Sequence, residues 1–173
     1  ANNAALGYRA LYSNTTGVEN TAIGGPALYN NTIGSYNVAV GRNALNANTT
    51  ANYNTAIGYA ALTANTTAIY NTAIGYNAGY SNTGGQGNLF VGADSGYSNT
   101  TGSGNTAIGS FYSGVISGPL RANITGVQNT AVGAGALTSN TVSNNTAVGY
   151  KALTTNSTGT PNDAFGSLAL SVN

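Results

Sequence analysis

The sequence predicts an all-β protein, a single β-solenoid of about ten coils in which each repeat forms one coil. An asparagine recurs every 17 residues from Asn3 to Asn105, and then at Asn129, Asn145 and Asn162. Each one opens a phrase close to Asn-Thr-Ala-(Ile/Val)-Gly, and the ten copies span residues 1–173 as one repeat domain. A period this short leaves no room for a separately nucleated core, so neighbouring coils must bury one another.

The strands follow from the consensus N-T-A-(I/V)-G-x-x-A-L-x-x-N-T-T-G-x-x, with the opening asparagine as position 1. Asn, Thr and Gly are weak helix formers, so we expect two short strands per coil, at roughly positions 2–4 and 8–11. Position 5 is glycine in all ten copies, Gly58 and Gly75 among them, and glycine permits a corner with positive φ. The Asn-Thr-Thr-Gly segment at positions 12–15 predicts the second turn.

The interior is expected to be thin and aliphatic. If positions 4 and 9 point inward from facing strands, the Ile or Val of one strand meets the Leu of the other, which buries Ile57 and Ile74. The alanines of position 3 would then form a flat outward stripe that could contact another solenoid. Alternatively, alanine only fits a cramped interior corner.

Two amide ladders are predicted along the corners, at positions 1 and 12. Coils stacked about 4.8 Å apart place identical asparagines over one another, so each side-chain amide can bond the next. The ladder at position 1 comprises Asn20, Asn37, Asn54, Asn71, Asn88 and Asn105.

The composition argues against several classes of protein. Charged residues make up 4% of the chain, and the net charge of +1 offers no footprint for nucleic acid. No apolar run approaches the roughly 18 residues of a membrane span. The chain has no His or Cys, and its three acidic residues are scattered, so neither a catalytic triad nor a metal cluster can be assembled. We therefore predict no enzymatic activity, no cofactor, no nucleic-acid partner and no membrane insertion.

Coil seven is longer by seven residues, within a loop insertion at 110–122. Insertions in solenoids map to loops on one face, and such loops often carry contacts. The insertion is therefore predicted to protrude and contact a subunit or ligand, with a tolerated bulge as the alternative. Its candidate contact residues are Phe111, Tyr112, Val115, Ile116, Leu120 and Arg121.

Tyrosines recur in register. Tyr36, Tyr53 and Tyr70 occupy position 17 of successive coils, so their rings should stack about 4.8 Å apart. Such a ladder could stabilise the turn, bind a sugar or form a subunit interface. The two end coils lack polar caps, and the last carries Phe165 and Leu170. We therefore expect copies to stack head to tail into filaments.

The phrase Asn-Thr-Ala-Ile-Gly-Tyr, at Asn54–Tyr59 and Asn71–Tyr76, resembles the head repeats of trimeric autotransporter adhesins and related segments of phage and bacterial surface fibres. In that family the repeat forms a left-handed parallel β-roll that trimerises, so the resemblance implies a fibrous surface protein.

Three functions are compatible with these observations. A non-enzymatic structural subunit of an extracellular fibre, assembling with copies of itself, is favoured. An adhesin or phage-fibre segment that binds a glycan or surface receptor is the alternative, and an ice-binding solenoid has less support because its threonine columns are interrupted. The chain opens on Ala1 rather than Met, which fits an exported protein after signal cleavage or a trimmed fragment.

Overall fold

The computed structural model describes residues 2–111, 117–159 and 161–172, and every regular element within them is a β-strand. The strands form one parallel sheet in which each pairs with the next along the chain. The prediction of an all-β solenoid with coils of about 17 residues is confirmed. The strands are β1 (Ala4–Leu6), β2 (Thr21–Ile23), β3 (Val38–Val40), β4 (Thr55–Ile57), β5 (Thr72–Ile74), β6 (Leu89–Val91), β7 (Thr106–Ile108), β8 (Thr130–Val132), β9 (Asn145–Val148) and β10 (Asn162–Phe165).

Residues at the same position of the repeat are paired with each other in neighbouring strands. Between β4 and β5, for example, Ala56 is paired with Ala73 and Ile57 with Ile74. The N–H group of Thr55 donates to the carbonyl of Asn71, the residue before β5, at 2.9 Å. Because every pairing keeps this register, each position of the repeat becomes a column of like residues along the rod.

The second predicted strand, at positions 8–11, is wrong, because the described chain turns there instead. In coil four, Ala60 and Leu62 have φ values of 53° and 49°, and most residues at positions 7 and 9 of the other coils are also left-handed. Two left-handed residues within three positions curl the chain and prevent an extended strand. Backbone hydrogen bonds still join the coils, since Leu62 N–H donates to the carbonyl of Ala78 at 3.0 Å.

The predicted orientation of the remaining strand is also wrong. Ala56 and Ala73 at position 3 are fully buried, whereas Ile57 and Ile74 at position 4 are 38% and 39% exposed. Side chains alternate between the two faces of the sheet as expected, but alanine faces inward and isoleucine outward, the reverse of the prediction. Leucines fill the interior and leave room for only a methyl group beside the strand, so alanine faces inward and isoleucine faces solvent. The alternative of alanine in a cramped interior is therefore correct.

Leucines at position 9 are the largest core side chains of most coils, and their burial is confirmed except in the end coils, where Leu11 is partly buried and Leu170 is exposed. They pack with the buried alanines of positions 3 and 8. The fully buried leucines are Leu28, Leu45, Leu62, Leu120, Leu137 and Leu153. A left-handed leucine costs roughly 1–2 kcal/mol, which the burial of its side chain, worth about 1.5–3 kcal/mol, offsets.

The glycines of position 5 permit the close approach of the coils. Gly58 has φ of 134°, and a Cβ at this residue would collide with the carbonyl of Gly75 in the next coil. The same conflict recurs along most of this column, so the coil spacing requires glycine there.

One local exchange interrupts the core pattern. Coil six carries Phe90 at position 3 in place of alanine, and it is fully buried. Position 9 is glycine in coils five and six, and a Cβ on either Gly79 or Gly96 would collide with the Phe90 ring. One large side chain from the strand thus replaces two leucines from the turn.

Candidate contact surface

The asparagines of positions 1 and 12 are buried and belong to the scaffold. In coil four, the Nδ2 groups of Asn54 and Asn65 both donate to the carbonyl of Ala68, at 2.9 and 3.0 Å. The Oδ1 atom of Asn54 accepts the backbone N–H of Asn71 at 3.0 Å, and the Nδ2 group of Asn82 donates to Asn65 Oδ1 at 3.1 Å. The ladders therefore close each coil and join it to the next, and these amides are not available to a ligand.

Because the side chains of position 4 point outward from the sheet, they form an exposed apolar column, here called the aliphatic stripe. It runs along the whole sheet, and its first and last members, Leu6 and Phe165, are each 69% exposed. Its members are Leu6, Ile23, Val40, Ile57, Ile74, Val91, Ile108, Val132, Val148 and Phe165. Sequence reasoning missed this surface because it assigned these side chains to the core.

The stripe is about as large as the largest apolar patch of an ordinary monomer. Ten strands at about 4.8 Å give a column about 43 Å long, and a band roughly 10 Å wide covers about 430 Å². That is within the size range of the largest apolar patch on typical monomers, a patch that is often functional. Among positions 2 and 4 only Asp163 carries a charge, so little electrostatic repulsion opposes contact with a second uncharged surface.

Position 2 flanks the stripe on the same outer face and is partly exposed in most coils. Threonine holds this position in coils two, four, five, seven, eight and nine, and Val38 and Leu89 interrupt it. The outer face of the described strands therefore pairs one threonine column with one aliphatic column, rather than two threonine columns. At position 13, threonine hydroxyls bond the next coil, as from Thr32 Oγ1 to the carbonyl of Thr49 at 3.0 Å.

The predicted tyrosine stacking is observed. Tyr36, Tyr53 and Tyr70 form one ladder, with ring centroids 5.1 and 5.2 Å apart and planes within 10° of parallel. Two-ring stacks occur between Tyr59 and Tyr76, Tyr12 and Tyr29, and Tyr80 and Tyr97. Stacked rings cover one another's faces, so a ladder offers a ligand its edges and whichever terminal face is open.

The described residues on either side of the coil-seven insertion bond to neighbouring coils. Phe111 N–H donates to the carbonyl of Ala93 in coil six at 3.4 Å, and the carbonyl of Ser117 accepts from Gly135 in coil eight at 3.0 Å. Phe111 and Ser117 therefore both belong to the stacked coils. Tyr112, Val115 and Ile116 lie outside the described residues.

Two of the predicted contact residues in this segment belong to the body of the rod. Leu120 is fully buried as the core leucine of coil seven, so its assignment to a protruding loop is wrong. Arg121 lies with its guanidinium carbon 5.0 Å from the Tyr97 ring centroid, and its Nε atom is 3.7 Å from Asp94 Oδ2. Phe111 is partly exposed, at 38%.

Among the residues that the structure describes, β1 and β10 are the outermost strands of the sheet, and each has a single neighbouring strand. Phe165 and Leu170 of the last coil are both exposed. These edges present backbone groups to which another strand could pair.

Charged and metal-binding side chains are few in this chain. Within residues 2–111, 117–159 and 161–172, no three His, Cys, Asp or Glu residues lie close enough to hold a metal ion. The same residues contain no helix with the length and hydrophobicity needed to cross a membrane.

Comparisons with known proteins add no identification. No family model, no curated protein and no solved structure matches this chain. The resemblance of the repeat phrase to autotransporter head repeats therefore stays a prediction.

Proposed function

We propose that this chain is a non-enzymatic structural subunit of an extracellular fibre and that it assembles with copies of itself. The observation that carries the proposal is the aliphatic stripe. It combines ten apolar side chains, six of them exposed and four half-buried, on one parallel sheet with almost no charge. The largest apolar patch on a protein surface is often functional, and a continuous band along the sheet favours contact with a second apolar surface.

A second copy is the partner that fits the stripe best. Two such faces have the same repeat spacing, so side chains of one rod can interdigitate with those of the other along their full length. Their contact would bury about 860 Å² in total, which is below the 1,200–2,000 Å² of a typical stable interface. A lateral pair is therefore expected to be weak by itself.

Contacts at the open edges of β1 and β10 would make lateral association cooperative. Rods joined end to end present a longer stripe, and each added copy strengthens the lateral contact without any new kind of interaction. The proposal thus combines head-to-tail stacking with lateral contact, and it predicts growth that depends steeply on concentration.

Sedimentation velocity on two charge-matched variants tests this proposal. Ile57→Lys/Ile74→Lys places two cations in the middle of the stripe, whereas Thr50→Lys/Thr67→Lys places the same charges at exposed turn positions of neighbouring coils. The parent chain and the turn variant should form large species as concentration rises, and the stripe variant should remain smaller at every concentration. Equal sedimentation of all three would contradict the proposal.

A further inference from the structure

The tyrosine ladder at position 17 is closed at one end and open at the other. Each coil contributes one residue, or rung, to this ladder. Glu19 occupies the rung before Tyr36, and its Oε1 atom accepts a hydrogen bond from Asn2 Nδ2 at 2.9 Å. After Tyr70 the same backbone column continues, since Gly87 N–H donates to the carbonyl of Ile69 at 3.2 Å. Gly87 carries no side chain, so this column places no ring after Tyr70.

The open rung is an empty space of definite size. A Cβ added to Gly87 would have no heavy atom within 4 Å, and the next rung is again a glycine, Gly104. The Gln128 side chain stands beyond them, with its Cγ atom 3.6 Å from where a Gly104 Cβ would lie. Tyr70 and Gln128 are thus three coil spacings apart, or about 14 Å, across a floor of two glycines.

The Tyr70 ring is correspondingly more open than its neighbours. It is 60% exposed, against 49% for Tyr53 in the middle of the ladder and 50% for Tyr36 at the closed end. Two of the other stacks have a cation at one end, since the Arg121 guanidinium covers Tyr97 and that of Arg9 lies 5.6 Å from the Tyr12 ring centroid.

The surroundings favour a neutral, hydroxylated ring. Gln86 and Gln128 supply exposed amide groups beside the glycine floor, and Ser103 supplies a hydroxyl that accepts the Gln86 N–H at 3.0 Å. No charged residue occupies positions 15–17 of coils four to seven. A pyranose sugar has an apolar C–H face that can stack on an aromatic ring and a rim of hydroxyls that amides can bond.

We propose that the space beyond Tyr70, floored by Gly87 and Gly104, is a binding site for a neutral pyranose, either free or at the end of a glycan. One face of the sugar stacks on the Tyr70 ring and continues the ladder, while Gln86, Ser103 and Gln128 bond its hydroxyls. The site does not use the aliphatic stripe, so it and the proposed self-assembly can fail independently.

Saturation-transfer NMR with the methyl glycosides of glucose, galactose, mannose and N-acetylglucosamine tests the site. At least one should bind with a dissociation constant on the order of millimolar, as expected for a single sugar on one open platform. Saturation should be strongest on the protons of one ring face. The same sugar attached to a soluble oligosaccharide should bind at the same site, which separates a terminal glycan residue from a free sugar.

Three variants decide whether the open rung is responsible. Gly87→Tyr/Gly104→Tyr fills both glycine positions with rings, and tyrosine already adopts φ of 60–61° at this position in Tyr36, Tyr53 and Tyr70, so folding should be unaffected. This double variant and Tyr70→Ala should each weaken binding by about tenfold, the order expected for losing one stacked ring. Tyr36→Ala, at the closed end of the same ladder, should leave binding within about twofold.

An unchanged affinity in folded Gly87→Tyr/Gly104→Tyr would overturn the proposal, as would an equal loss in Tyr36→Ala. Absence of binding by all four glycosides at concentrations of tens of millimolar would overturn it as well. Circular dichroism of each variant verifies the fold, so that loss of binding in an unfolded protein is not counted.

Discussion

The Asn54 amide offers a direct test of the asparagine ladder, because its side chain has four partners in three coils. It donates to the carbonyls of Ala68 and Asn52 and to Asn37 Oδ1, and it accepts the Asn71 N–H. In Asn54→Ala the carbonyl of Ala68 keeps the Asn65 amide as a donor, whereas the buried Asn71 N–H loses its acceptor.

The expected cost follows from these partners. An orphaned buried N–H costs about 1–3 kcal/mol, and each lost hydrogen bond whose partner is otherwise satisfied costs about 1 kcal/mol. The Nδ2 group has two hydrogens, which its three acceptors share, so two such bonds are lost. Asn54→Ala should therefore lower the free energy of unfolding by about 3–5 kcal/mol, a large part of the roughly 5–15 kcal/mol of a typical domain. Urea denaturation followed by circular dichroism measures this difference, with the exposed Thr67→Ala as a control that should change it by less than about 0.5 kcal/mol.

Asn54→Asp adds a pH dependence with a definite sign. The new carboxyl is buried and faces the carbonyl of Ala68, so its folded-state pKa is raised above the unfolded value of about 3.9. The variant should then be most stable below pH 4 and lose stability, relative to the parent chain, as pH rises through the folded-state pKa. If Asn54→Ala costs no more than the control, or Asn54→Asp shows no such loss, the ladder does not stabilise the rod.

Two further predictions concern the phase of the strands and the Phe90 exchange. Ile74→Asp should leave the fold intact because this side chain faces solvent. Ala73→Asp should unfold the middle coils because an unpaired carboxylate in the interior costs several kcal/mol. Circular dichroism distinguishes the two variants, and the opposite ranking would show that isoleucine faces inward. Phe90→Ala alone should lower stability by about 3–5 kcal/mol through the cavity it leaves. Combining it with Gly79→Leu and Gly96→Leu should restore much of the loss in a thermal melt, and no recovery would mean that these three residues do not share one interior space.

Much of the scaffold could be predicted because periodicity determines it. An exact 17-residue spacing places like residues in columns, so the asparagine ladders and the stacking of Tyr36, Tyr53 and Tyr70 follow from the repeat and the strand spacing alone. None of these features depends on the path of the chain within one coil. This is why they could be predicted while that path was still wrong.

The path within the coil was harder to predict for physical reasons. Leucine rarely adopts a left-handed conformation, so nothing in local propensity indicates the turn at Leu62. The strand phase was ambiguous because both Ala and Ile are apolar, and volume decides which one faces the interior. One signal was available in the sequence: position 3 gains Phe90 where position 9 loses its leucines at Gly79 and Gly96, which indicates that positions 3 and 9 share the core.

The most direct test of self-assembly is the accessibility of single thiols on the assembled protein. The chain has no cysteine, so one residue at a time can be replaced without competing reactions. Ile74→Cys places a thiol in the middle of the aliphatic stripe, and Thr67→Cys places one at an exposed turn. Reaction with a maleimide dye is followed from dilute to concentrated protein.

If copies associate through the stripe, the Ile74→Cys thiol reacts readily in dilute protein and becomes protected as concentration rises. The Thr67→Cys thiol should react at the same rate throughout. Equal reactivity of the two thiols at all concentrations, in samples where large species have formed, would contradict assembly through the stripe.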